Sequence, residues 1–210
     1  MDNFLNKKMS KTISKKKVNV RHITATGILS AVAFVLMVLE IPVFFMPFFI
    51  KFDFSDFPAL IGAFALGPIY GVLIEFIKNL LHVLMSGSFG VGEISNFLLG
   101  AVFTGVAGFI YQRSMTKKGA MIGVAAGSIA MAIMSYPFNL FIVYPIYYQF
   151  MDKALILKAY NDILPFVHSI EASLLIFNVP FTLLKGIADS ILTFVLYKSV
   201  SPLIKGKYNR

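Results

Sequence analysis

The chain has 210 residues, of which 58% are hydrophobic and only 14% charged, with a mean hydropathy of +0.79 and a formal net charge of +9. That is more apolar surface than a soluble core of this length needs, so the composition excludes a soluble globular fold and predicts an integral membrane protein. Disulfides and thiolate metal sites are excluded by the absence of cysteine, no metal site is expected from three widely separated histidines, and the basic residues gather at the edges of apolar runs, where they read as orientation signals and not as a nucleic-acid surface.

Residues 1–21 carry seven basic side chains (Lys7, Lys8, Lys11, Lys15, Lys16, Lys17 and Arg21) against Asp2, and form a cytoplasmic N-terminal segment. The apolar run 23–39 follows. It is too long for a signal-peptide core, so it remains as the first helix. Two further basic clusters, Arg113 with Lys117 and Lys118, and Lys198 with Lys205, Lys207 and Arg210, must also be placed inside. A single long span over 57–85 would put both outside. A break at Gly67-Pro68 puts both inside, with helices at 57–66, 69–85, 93–111, 119–144 and 180–200.

The predicted fold is therefore an all-α integral membrane protein of six transmembrane helices with both termini cytoplasmic. Its membrane domain covers 22–200 and a basic tail covers 201–210. Spanning takes about 20 apolar residues, so the short second helix begins partway into the protein, preceded by a lid loop at 47–56. Asp56 is expected to cap this helix, whose first turn holds Pro58. Phe52 and Phe54 alternate with Lys51, Asp53 and Ser55, which sets aromatics on one side of the lid and polar groups on the other.

The segments predicted to lie outside are 47–56, the Gly-rich 86–93, and 146–179; the last contains a fifteen-residue apolar piece, 163–177, read as a re-entrant or interfacial helix. Polar residues collect where these meet the helices: Glu93, Asn96, Asn139, Asn178, Thr182, Lys185 and Asp189. Ionisable groups inside a membrane segment are costly and mark a site or a partner. Local roles stand beside that reading. Asn178 before Val179-Pro180 suits an N-cap, Lys185 and Asp189 suit an i, i+4 pair, and Glu93 suits a helix-start acid. Glu75, Lys78, Asn79 and His82 recur at i, i+3, i+4 and i+7, and read as a buried ion-pair and hydrogen-bond network in preference to ligand contacts. With 22 Phe and 9 Tyr, the expected cavity is aromatic, with a few amides, and suits a flat, neutral ligand rich in polar groups. Small residues recur at every fourth position, at Gly27 and Ala31, at Ala59, Ala63 and Gly67, and at Gly119, Gly123 and Gly127, a spacing that permits close helix approach.

The sequence has no phosphate-binding loop, no HExxH and no GxSxG, and shows no internal repeat of the transporter kind. An outward pocket with no energy source of its own implies an energising partner. "KFDFSDFPALIGAFALGPIYGVLIEFIKNLLH" (51–82), "GEISNFLLG" (92–100), "YPFN" (136–139) and "FNVPFTLLKG" (177–186) together resemble the riboflavin-specific S components of energy-coupling factor (ECF) transporters, over about residues 22–200.

The resemblance implies a non-enzymatic protein of the bacterial cell membrane that binds riboflavin as its transported ligand, with no cofactor. Its implied partners are a membrane coupling subunit and two ABC-type ATPases. It also implies ligand contacts from Asn139, Lys185 and Thr182, then Asn178, Glu93 and Asn96, with Phe48, Ile50, Lys51 and Phe52 closing over the ligand. Gly27 and Ala31, with Val35 in place of a third small residue, would dock on the coupling subunit. Three rival readings are an S component for another vitamin such as thiamine or folate, an intramembrane enzyme using Glu75 and His82, and a membrane scaffold.

Overall fold

The structure, a computed structural model, describes residues 20–205, with side chains through Leu196; the basic segment 1–19, residues 206–210 and the side chain of Lys198 lie outside the described residues. The chain runs through α1 (Val20–Val38), a two-stranded ribbon of β1 (Ile41–Pro42) and β2 (Lys51–Phe52), α2 (Asp56–Ala65), α3 (Pro68–His82), α4 (Val91–Ser114) and α5 (Lys117–Phe138). It continues through α6 (Tyr144–Tyr147), α7 (Lys153–Asn161), α8 (Ile170–Ser173) and α9 (Val179–Lys205). Among the described residues, five helical stretches are long and apolar enough to cross a membrane: Val20–Val38, Pro68–Met85, Val91–Ser114, Lys117–Tyr147 and Ile170–Leu196.

The ten-residue α2 is short because it is central. It packs against α1, α3, α4 and α9, and every residue from Asp56 to Phe64 is buried. A helix that is apolar all round belongs inside a protein, and here other helices replace lipid on every side. Its end follows from Gly67, whose φ of +119° favours glycine, and from Pro68, which starts α3 with φ already set. Close approach elsewhere also needs absent side chains. A Cβ on Gly123 would lie 2.7 Å from the carbonyl oxygen of Ala107, and one on Gly127 would lie 2.7 Å from that of Phe103, so α5 lies directly on the backbone of α4.

Two wide π turns interrupt the outer helices, at Asn139–Val143 between α5 and α6 and at Leu174–Asn178 between α8 and α9. Each stops two residues before a proline, Pro145 or Pro180. Proline has no N–H and its ring collides with the carbonyl four residues back, so the extra residue in the turn lets the helix pass. This overturns two expectations. The apolar piece 163–177 is not a separate re-entrant helix, because from Ile170 it is the start of the last long helix. Asn178 is not an N-cap, because it sits inside that continuous helix. A third correction concerns Asp56, which is the first residue of α2 and does not cap it; its carboxylate goes to Lys78. The helix α7, absent from the expected elements, begins on an Asp152 cap that accepts from the Ala154 N–H at 2.7 Å.

Candidate functional site

A cavity of about 330 Å³ lies beneath the loop between α1 and α2, among the ends of α4, α5 and α9. This falls at the lower end of the range of about 300–1,000 Å³ usual for small-molecule sites. The loop is held over it at two places. Met46 and Phe49 enter an aromatic cluster, where the Phe49 ring lies 5.7 Å from that of Tyr147 and 6.1 Å from that of Tyr160. At the other end, Lys185 of α9 donates to the carboxylate and to the carbonyl oxygen of Asp53, both at 3.0 Å. Between these anchors the ribbon is closed by an ion pair of Lys51 with Glu40.

The floor is a polar node built by three helices. Asn139 donates its amide to the carbonyl oxygen (2.7 Å) and hydroxyl (3.2 Å) of Ser135, one turn earlier on α5. Ser95 of α4 donates to the Asn139 carbonyl at 3.3 Å, and Thr182 of α9 donates to the Ser135 hydroxyl at 3.2 Å. Beyond it, Asn178 accepts a hydrogen bond of 2.6 Å from the Tyr160 hydroxyl.

The wall towards α3 is ionic. Lys78 pairs with Asp56, lies 2.7 Å from Glu75, and donates to the Ser55 hydroxyl at 2.7 Å. Asn79 donates to the Glu75 carbonyl at 2.8 Å and to Asn96 at 3.3 Å, and Asn96 donates to Asp53 at 3.4 Å. His82 Nδ1 lies 2.8 Å from Glu93, whose other oxygen accepts from Ser86 and Ser88. The i, i+3, i+4, i+7 stripe is thus the buried network that its spacing predicts. Glu93 also lies in the first turn of α4, so its helix-start role holds as well.

Burial pushes the Asp53 carboxyl up, but the ammonium groups of Lys185 and Lys78, together with hydrogen bonds from Ser55, outweigh it and hold the group at about 2. Asp53 therefore stays charged, and Lys185 has a permanent partner on the loop. Lys185 also lies 3.2 Å from Asp56 and 3.6 Å from Asp189. The i, i+4 pair exists, but Asp53 of the loop and Asp56 at the start of α2 are the nearer partners.

A family model described as the substrate-specific component of ECF transporters matches residues 21–197. The chain belongs to this family. The S component is 31% identical over 194 residues to the riboflavin transporter RibU of Staphylococcus aureus (strain TCH60), covering 91% of this chain and 97% of that one. It is 29% identical over 191 residues to the riboflavin transporter FmnP of Bacillus subtilis (strain 168), covering 90% and 96%. A solved S component of a bacterial ECF transporter superposes with a TM-score of 0.69 at 32% identity, covering 88% of this chain and 97% of that one. The chain is accordingly a multi-pass membrane protein.

In this S component the structure brings together nearly all of the residues singled out from the sequence. Asn139, Asn178, Thr182 and Lys185 line the cavity, as do Glu93 and Asn96 on α4 and Phe48, Ile50 and Lys51 on the loop. Phe52 does not line it. Its ring lies behind Phe181, at 6.2 Å, and beside Phe54, at 5.0 Å. The alternation holds over 53–55, where Asp53 and Ser55 turn in and Phe54 turns out, whereas in the ribbon Lys51 is exposed and Phe52 half-buried. Three participants were missed. Ser135 is signalled only by its spacing of four from Asn139, Asp53 only by its place on the polar side of the loop, and Tyr160 lies in no motif. Gly27, Ala31 and Val35 share an exposed face of α1 that no described residue covers.

Proposed function

We propose that this S component captures riboflavin from outside the cell and delivers it for ATP-driven uptake. The observation that carries this reading is the cavity itself: amide and hydroxyl groups from three helices converge on its floor, aromatic rings line its sides, and a loop fastened at both ends covers it. Riboflavin is a neutral tricyclic ring with carbonyls, ring nitrogens and a ribityl chain. Paired hydrogen bonds and apolar burial are what its capture requires. At about 25 cal/mol per Å² of apolar surface, burial of the ring faces contributes several kcal/mol before the costs of association. The two relatives named above are both called riboflavin transporters, which favours this vitamin over thiamine or folate.

The arrangement in the membrane is part of the same proposal. The central α2 counts as a sixth, shortened helix, the basic segments 1–21 and 201–210 flank the membrane domain 22–200 in the cytoplasm, and the loop over the cavity acts as the lid. Asn139, Thr182, Asn178 and Asn96 bond the ligand's polar edge, and Phe48, Ile50 and Lys51 close over it. Lys185 and Glu93 act through the loop and wall as much as through the ligand, because Lys185 is already paired with aspartates and Glu93 already accepts from Ser86 and Ser88. The exposed face of Gly27, Ala31 and Val35 docks on a membrane coupling subunit that works with two ABC-type ATPases. No chemical step is assigned to the S component.

The test is equilibrium quenching of flavin fluorescence by the purified chain, with thiamine and folate as competitors. Saturable quenching that neither competitor displaces is expected, and it weakens in Asn139→Ala and Lys185→Ala. A parent protein that does not quench riboflavin rules the assignment out.

A further inference from the structure

Two asparagines reach the cavity from the two π turns, and their hydrogen bonds set them to opposite polarity. Asn139 spends its amide protons on Ser135, so towards the cavity it has only its carbonyl oxygen to offer, as an acceptor. Asn178 is reversed. Its carbonyl oxygen accepts from Tyr160 at 2.6 Å, and its Nδ2 lies beside the cavity in a residue only 6% exposed, with no hydrogen bond to an acceptor of the floor. An amide donor in such a place is available to a ligand carbonyl.

The Tyr160 hydroxyl has one proton and gives it to Asn178, so the short contact between Tyr160 and Tyr144 takes its proton from Tyr144. The chain of donation runs Tyr144 to Tyr160 to Asn178, and each bond in such a chain strengthens the next. Turning the Asn178 amide over would reverse the chain and leave the Tyr144 proton without a protein acceptor. Tyr160 is fully buried among Phe49, Tyr144 and Phe177 and does not itself line the cavity.

We infer that Tyr160 is a positioning and specificity residue: it fixes the Asn178 amide as a donor to a ligand carbonyl, while Asn139 stands as an acceptor for a ligand N–H. An imide edge, with N–H beside C=O, is the ligand chemistry that matches this pair. The inference rests on the riboflavin reading above, since the flavin ring carries such an edge.

The experiment uses the purified full chain with riboflavin and its 2-thio and 4-thio analogues, in which a weakly accepting sulfur replaces one carbonyl oxygen. Tyr160→Phe is expected to raise the riboflavin Kd about tenfold, as loss of one buried hydrogen bond does. Asn178→Ala raises it further, and Tyr160→Phe adds nothing on top of Asn178→Ala. The parent discriminates against at least one thio analogue, and Tyr160→Phe reduces that discrimination severalfold. Parental affinity in Tyr160→Phe, full additivity with Asn178→Ala, or unchanged thio discrimination overturns the inference. Asn178→Asp keeps an acceptor for Tyr160 but has no amide proton; it serves if Tyr160→Phe does not fold, and riboflavin affinity at the parental level in that variant also overturns the inference. A parent that binds no riboflavin refutes the vitamin assignment itself, and the polarity inference with it.

Discussion

Lys185 Nζ lies 3.0 Å from both the carboxylate and the carbonyl oxygen of Asp53, a contact across 132 positions that joins the last long helix to the loop over the cavity. Asp56 and Asp189 crowd the same ammonium. Removing one partner of a buried charge set is far costlier than the set is worth as a whole, because the remaining charges stay desolvated. Lys185→Met is expected to lose about 3–5 kcal/mol of stability, read as thermal unfolding in detergent. Asp53→Asn keeps the carbonyl contact and is expected to lose about 1–2 kcal/mol, with faster riboflavin release. Unfolding of Lys185→Met at the parental temperature would show that Lys185 is not a latch.

The latch is predicted to ignore pH across the physiological range. Asp53 titrates at about 2 in the folded protein against an ordinary value of 3.8. A depressed carboxyl contributes stability that is fully present above the unfolded value and is lost only as pH falls through the folded one. Riboflavin dissociation rates governed by this contact should therefore be flat from about pH 5 to about pH 8. A transition inside that window, still present in parent but absent in Asp53→Asn, would contradict the assignment.

The node at Ser135 ranks the floor residues. Asn139 is bonded to both Ser135 and Ser95, whereas Thr182 contributes a single hydroxyl bond at 3.2 Å. Asn139→Ala is expected to weaken riboflavin binding about 10- to 100-fold, and Thr182→Val about fivefold. Titrations that rank the two variants in the reverse order would move the floor of the site from α5 to α9.

Much of this layout is visible along the chain, for reasons that can be named. Gly67-Pro68 marks the end of α2 because both residues act on local dihedrals, and the polar stripe of α3 shows because it repeats with the helix. The start of the last long helix is hidden for the opposite reason. Val179-Pro180 looks like a helix beginning, and only a π turn, which has no sequence pattern of its own, carries the helix through it. Asp53 finds Lys185 by tertiary packing, and Tyr160 finds Asn178 across 18 positions through an aromatic cluster. Neither pairing leaves a periodic trace.

Two glycines that look alike in sequence should behave differently. Gly123 faces the Ala107 carbonyl oxygen, which is backbone and does not yield, while a Cβ on Gly27 meets nothing within 4 Å. Gly123→Val is expected to cost about 1–3 kcal/mol or more and to lower the yield of folded protein. Gly27→Val should fold and bind riboflavin like the parent yet impair uptake by cells, because the bulk falls on the exposed face of α1. Normal uptake in Gly27→Val would place the docking surface elsewhere.

The absence of cysteine makes the sidedness of the cavity directly measurable with single introduced thiols. Lys117 opens α5 at the end away from the cavity, beside Arg113 and Lys118, and Lys153 opens α7 near the cavity end; both are exposed. Basic residues that flank spans favour the cytoplasmic side, so the α4–α5 turn should be inside and the Asn139 end of α5 outside. A membrane-impermeant maleimide applied to intact cells is expected to label Lys153→Cys and to spare Lys117→Cys until the membrane is permeabilised. The reverse pattern would open the cavity to the cytoplasm, where a protein that takes up an external vitamin has nothing to capture.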